Sequence, residues 1–302
     1  SASENTQGKI RLPMQETHTT ITLGDGRKLG YAQFGDPHGT PVFYFHGFPG
    51  SRVEAHLLHD IAARRGVRVI ALERPGYGLS DFLPGRTIVD WPADVAEAAD
   101  TFGLDRFAVI GISGGGPYAC ACARYLGERL TTAAIVCGLG PVESHDAREP
   151  MMHAARLGFF LGRNTPGLLR LVYRGLSSMI ADRTENILDA WTHRAPQPDR
   201  AALTDPAMRS MLLATFREAV RGGADGLAHD LILYSRPWGF PLEEIAVPVV
   251  LWHGEVDATV PSSHGREVAR RIPGCRATFL PNEGHFSIAV NHAEEIVQAI
   301  MG

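Results

Sequence analysis

Short apolar runs alternate along most of this chain with stretches of helical period. Runs at Thr19–Leu23, Leu29–Phe34, Val42–Phe45, Val67–Leu72, Phe107–Ile112, Thr132–Val136, Val249–Trp252 and Ala277–Leu280 predict eight strands. Inner runs such as Val-Phe-Tyr-Phe at 42–45 and Ala-Val-Ile at 108–110 are apolar throughout, as in strands covered on both faces. The first two are more polar and are separated by Gly24-Asp25-Gly26, which predicts an antiparallel hairpin at a sheet edge. Helices fit between the strands at Arg52–Arg65, Ile88–Phe102, Gly114–Leu126, Ser262–Arg271 and Ala293–Met301. Strands alternating with helices predict an α/β fold, a sheet with helices on its faces.

The alternation breaks between Pro141 and Trp238. Helical patterns continue there without a convincing strand, and Met208, Met211, Leu212, Phe216 and Val220 form an amphipathic stripe. A stretch this long cannot be a simple connection. It is expected to be a helical subdomain over 141–240, inserted into a core made of 19–140 and 241–302, with 1–18 as an N-terminal segment.

Composition narrows the class. The 302 residues are 44% hydrophobic and 21% charged, ordinary for a globular chain. A net charge of −4 points to neither nucleic acid nor an anionic membrane. No apolar run approaches the roughly 20 residues of a spanning helix. Ser1–Arg11 is polar and carries no signal-peptide pattern. Cys120 and Cys122, two apart on a predicted helix, do not face each other. With Cys137 and Cys275 they read as reduced thiols, so a cytoplasmic compartment is expected. No Cys/His spacing resembles a metal site, and no cofactor is expected. Nothing in the pattern sets an oligomeric state.

The strongest chemical signal is Gly111-Ile112-Ser113-Gly114-Gly115-Gly116, set between an apolar strand and a helix-forming run. Glycines on both sides allow a tight strand-to-helix turn that exposes the serine hydroxyl, a nucleophile elbow. A phosphate loop would need Gly-Lys-Ser/Thr, which is missing here. A serine nucleophile needs a histidine base oriented by a carboxylate. Asp257 and His285 follow the last two strand candidates, in the order serine, acid, base. Loops leaving one edge of a parallel sheet can converge there. Competitors for the acid are Glu255, two residues from Asp257, and Glu143, after the sixth strand. His253 stands at a strand end, where packing is the simpler role. In His46-Gly47-Phe48-Pro49-Gly50-Ser51 the chain turns after the third strand. The Phe48 N–H there, with that of Gly114, can form an oxyanion hole, and His46 reads as scaffold.

Together these motifs, with Glu73-Arg74-Pro75-Gly76-Tyr77-Gly78-Leu79-Ser80, resemble the α/β-hydrolase superfamily from about Thr19 to Gly302. The resemblance implies a mostly parallel eight-stranded sheet, a helical cap at 141–240 and a mainly structural turn at Arg74–Asp81. A serine at the elbow argues against family members that use aspartate there. Gly114, where many relatives carry a larger side chain, is expected to leave a roomier pocket floor. The expected activity is hydrolysis of a small-molecule ester or related acyl compound through an acyl-serine intermediate. Alternatives are cleavage of a carbon–carbon, amide or peptide bond on the same triad, a peroxidase side reaction, or a ligand receptor without turnover. Met151, Met152, Leu157, Phe159, Phe160, Leu168 and Leu169 are candidates for an apolar acyl pocket, with Phe159 and Phe160 expected to face inward.

Overall fold

The computed structural model describes residues 19–142 and 153–301. Eight strands form one sheet: β1 (Thr19–Thr22), β2 (Lys28–Gly35), β3 (Thr40–Phe45), β4 (Val67–Leu72), β5 (Phe107–Ile112), β6 (Leu130–Val136), β7 (Val249–Gly254) and β8 (Arg276–Leu280). Their order is β1-β2-β4-β3-β5-β6-β7-β8. β1 and β2 form the expected antiparallel edge, β2 pairs antiparallel with β4, and every later pair is parallel.

Side chains alternate across this sheet and divide its core in two. Phe43, Phe45, Ile70, Leu72, Phe107, Val109, Ile135 and Leu251 face one layer; Val42, Tyr44, Val69, Ala71, Ala108, Ile110, Val136 and Val250 face the other. The period of two forces that division, and helices cover both faces. Helices α1 (His59–Arg65), α2 (Trp91–Thr101) and α3 (Gly116–Tyr125) lie between the early strands. The first predicted helix is α-helical only in its second half, because Arg52–Leu58 winds as a 3-10 helix behind the Ser51 N-cap.

Between β6 and β7 the described residues contain helices and no strand: α4 (His153–Asn164), α5 (Pro166–Asp182), α6 (Thr184–Arg194), α7 (Gln197–Thr204), α8 (Pro206–Ala219) and α9 (Asp225–Tyr234). Asp205 caps α8 by accepting the Met208 N–H at 2.9 Å. The stripe Met208, Met211, Leu212 and Phe216 is buried with Leu188 and Leu203. β6 and β7 pair directly across this segment. After β7 come α10 (Ser262–Arg271), the short α11 (Ser287–Asn291), which the pattern did not predict, and α12 (Ala293–Met301). Segment 1–18, Glu143, Met151 and Met152 lie outside the described residues. All four cysteines are free thiols, and among the described residues no helix is long and apolar enough to cross a membrane.

Candidate active site

Ser113 follows β5 directly and sits at φ 54°, a left-handed conformation that serine rarely takes. Surroundings must over-determine such a residue. They do: a Cβ on Gly111 would run into the Gly115 carbonyl, and one on Gly115 into the Phe45 carbonyl. Only glycines allow the backbone to turn this tightly.

Asp257 lies on the loop after β7. Its Oδ1 accepts the backbone N–H of Thr259 and of Val260, each at 2.8 Å, and its Oδ2 lies 2.7 Å from His285 Nδ1. The partner decides the tautomer: a carboxylate only accepts, so Nδ1 carries the proton and the Nε2 lone pair is left open. Burial alone would lower the His285 pKa, but the charge and hydrogen bond of Asp257, with smaller help from Asp199 and Glu54, leave it raised. Burial opposes ionisation of Asp257 too; the two histidines, His285 foremost, hold it well below the usual carboxylate range.

The competitors fall elsewhere. His253 is fully buried; its Nε2 donates to the Val260 carbonyl at 2.9 Å and lies 3.5 Å from Asp257 Oδ2, so it packs behind the acid. Glu255 is exposed and pairs with Arg266. His46 is buried and bonded to Gly47 O and Arg74 N, a scaffold role, with burial holding its pKa well down. Cys137, His253 and Asp257 bring their donor atoms within 4.8 Å of one another. Burial pushes the Cys137 thiol far up, and both Asp257 oxygens already accept hydrogen bonds. The set fits a packed hydrogen-bonding group and not a metal site.

Two backbone N–H groups are aimed by what holds their peptide partners. In a trans peptide the C=O and N–H point in opposite directions. Gly47 O accepts from Arg74 Nη2 at 2.9 Å, which turns the Phe48 N–H the other way. Ser113 O accepts from Leu139 N at 3.1 Å and from Gly116 N, which does the same for Gly114. Arg74 is itself locked. Its Nε donates to Asp230 Oδ2 at 2.8 Å, and Asp230 also accepts from Arg86, Tyr77, Tyr118 and Tyr234. Tyr234 reaches on to Gly114 O at 2.8 Å. Thus α9, inside the inserted segment, is tied to both turns.

Sequence reasoning missed Asp199 on α7. This buried carboxylate accepts the backbone N–H of His285 at 2.9 Å, of Phe286 at 2.8 Å and of Ser287 at 3.0 Å. A Cβ on residue 284 would overlap its carboxyl, so Gly284 is what lets Asp199 approach. Asp199 therefore anchors the histidine loop from the inserted segment. Because its charge also helps to raise the His285 pKa, Asp199→Asn should shift the acid limb of the kcat/KM profile to lower pH, by up to about one unit. The sign follows because removing a negative charge disfavours imidazolium, so the free base persists further into acid. A pH–rate profile of both proteins checks this.

Two cavities meet at Ser113. The larger, about 370 Å³, has Ser113, Phe48 and Tyr234 in its wall, with Phe159, Ile187 and Trp191 from the inserted helices. The smaller, about 50 Å³, has Ser113, His285, Glu54 and Met211 in its wall. Phe159 faces inward as expected, but Phe160 is 62% exposed, and Leu157 and Leu168 also face solvent. Two successive helix positions point about 100° apart, so both phenylalanines could not share one wall. The floor at Gly114 is not roomier either: a Cβ there would lie 2.7 Å from the Tyr234 hydroxyl and 2.8 Å from Phe48 Cβ. Those two side chains already fill the space.

The α/β hydrolase fold family matches residues 40–291. This chain belongs to that family. It is similar to a bifunctional esterase/perhydrolase of Acinetobacter calcoaceticus, 24% identical over 88% of this chain and 92% of the relative. A non-heme haloperoxidase of Rhodococcus erythropolis is 24% identical over 90% of this chain and 94% of its own. Among solved structures, an esterase from Exiguobacterium antarcticum superposes with a TM-score of 0.67 at 20% identity, covering 94% of this chain and 99% of that one. As an α/β hydrolase, the protein is an enzyme that acts on small molecules.

Proposed function

We propose that this α/β hydrolase is a serine hydrolase of esters or related acyl compounds, working through an acyl-serine intermediate. The observation that carries the reading is the 2.7 Å contact between Asp257 and His285 Nδ1, which leaves Nε2 as a base beside the cavity that Ser113 lines. Ser113 Oγ attacks the acyl carbon while His285 takes its proton, and the Phe48 and Gly114 N–H groups receive the oxyanion. His285 then protonates the leaving oxygen and later activates the water that frees Ser113. Asp257 keeps the imidazole in the productive tautomer. The esterase/perhydrolase relative favours an ester over an amide or carbon–carbon substrate.

In this reading the segment 141–240 is a cap over the core, and the larger cavity is the acyl pocket. Its wall is overwhelmingly apolar, as an acyl chain requires. Phe159→Ala should lower kcat/KM for an octanoyl ester by about 10-fold or more, while an acetyl ester, too short to reach the cap, loses little. Measuring acetyl, butyryl and octanoyl p-nitrophenyl esters, with an octanoyl anilide for comparison, tests both bond and pocket. Equal losses for all three esters at unchanged Tm would remove the acyl pocket from this place. An anilide turned over faster than the esters would overturn the ester reading.

A further inference from the structure

The smaller cavity contains a carboxyl group for which the proposed chemistry has no use. Glu54 stands in the 3-10 turn after β3, among Leu57, Met208, Met211, Leu212 and Phe286. Its Oε1 accepts from Tyr44 Oη at 2.7 Å and from the Gly47 N–H at 3.0 Å; among the described residues Oε2 has only a 3.1 Å share of that same N–H. A Cβ built on Gly47 would lie 3.4 Å from Glu54 Oε2 and 3.5 Å from Ser113 Cβ, so the carboxyl and the serine flank one point. Burial raises the Glu54 pKa, which Tyr44 and Gly47 only partly offset. An acceptor with spare lone pairs in an apolar wall is costly unless a donor meets it.

The position of His285 assigns the two cavities. In acylation the bond from Ser113 Oγ to the acyl carbon forms and the bond to the leaving oxygen breaks. The serine proton passes through His285 to that oxygen, which departs as an alcohol. The leaving group must therefore lie on the side of His285, which lines the smaller cavity and not the larger. About 50 Å³ holds only a few water-sized groups.

We infer that the smaller cavity is a leaving-group subsite for short alcohols bearing a hydrogen-bond donor, a hydroxyl above all, with Glu54 Oε2 as the acceptor that recognises it. The inference rests on the acyl-serine reading above and adds a substrate class to it: esters of a long or apolar acid with a small, hydroxylated alcohol.

The test compares 2-hydroxyethyl and n-propyl octanoates, which match in size and acyl group, by kcat/KM, since this reports the acylation step in which the alcohol leaves. The wild-type enzyme should favour the hydroxyethyl ester by about tenfold, the scale of one hydrogen bond to a charged group. In Glu54→Gln, the amide oxygen can serve Tyr44 and Gly47, which turns a donor toward the cavity. The hydroxyl can still accept from that amide, so the preference should fall to about threefold, as a neutral hydrogen bond replaces a charge-assisted one. Because the readout is a ratio, any general loss cancels. Met211→Phe, which narrows the same cavity, should penalise butyl relative to ethyl octanoate while leaving the octanoyl-to-butyryl preference alone. An unchanged hydroxyethyl-to-propyl ratio in Glu54→Gln, with Ser113 still labelled by a fluorophosphonate, overturns the inference and leaves the serine mechanism standing. A shift in acyl-chain preference in Met211→Phe overturns the cavity assignment. If Ser113 takes no label in the wild-type protein, the mechanism itself fails and the inference falls with it.

Discussion

Replacing Ser113 with alanine is expected to lower kcat for a butyryl p-nitrophenyl ester by about 10⁶-fold, the scale found where serine, histidine and acid act as one unit. The fold should survive. The left-handed turn at residue 113 is held by close approaches at Gly111 and Gly115 and by hydrogen bonds to Ser113 O, none of which involves the hydroxyl. His285→Ala should fall to a similar floor, and the double variant should fall little further, because a base without its nucleophile has nothing to activate. Steady-state rates with matched circular dichroism and Tm check this. A double variant whose loss is the product of the two single losses would mean that the residues act independently, against the proposed mechanism.

Asp257→Asn is expected to cost about 10³–10⁴-fold in kcat with little change in KM. The structure supplies the reason. Oδ1 of Asp257 accepts two backbone N–H groups, so the asparagine oxygen is held there and its NH2 is presented to His285 Nδ1. Nδ1 must then accept, and the proton moves to Nε2, where the base is needed. Because the defect is a wrong tautomer, raising the pH should not restore the rate. Nearly full activity in Asp257→Asn, with Glu143→Gln inactive, would transfer the acid's role to the end of the sixth strand.

The elements that carry the site were legible because each has a local signature. Val-Phe-Tyr-Phe at 42–45 alternates between two buried layers, so the strand is visible in four residues, and the glycines around Ser113 announce a turn no other residue tolerates. The expected mostly parallel eight-stranded sheet is found in full, with strand ends differing by a residue or two. Asp199 and Glu54 had no such signature. A carboxylate in a helical stretch ordinarily reads as a solvated face, and what makes these two different is backbone met outside their own element: residues 285–287, far along the chain, for Asp199, and Gly47, in the turn before the 3-10 helix, for Glu54. Only Gly284 hinted at Asp199, and its glycine is explained by a neighbour 85 positions earlier that no local pattern reveals. Phe160 failed for the opposite reason. Two adjacent aromatics look alike in sequence, and only the helix phase decides that Phe159 faces the cavity.

Covalent trapping tests the central claim most directly. The enzyme is mixed with a slowly deacylating octanoyl ester, quenched in acid within milliseconds, digested and mapped by mass spectrometry. The account predicts one octanoyl group per chain, on Ser113, formed at the rate of the p-nitrophenol burst and missing from Ser113→Ala. A burst with the acyl group on another residue, or full turnover with no covalent adduct, would contradict it.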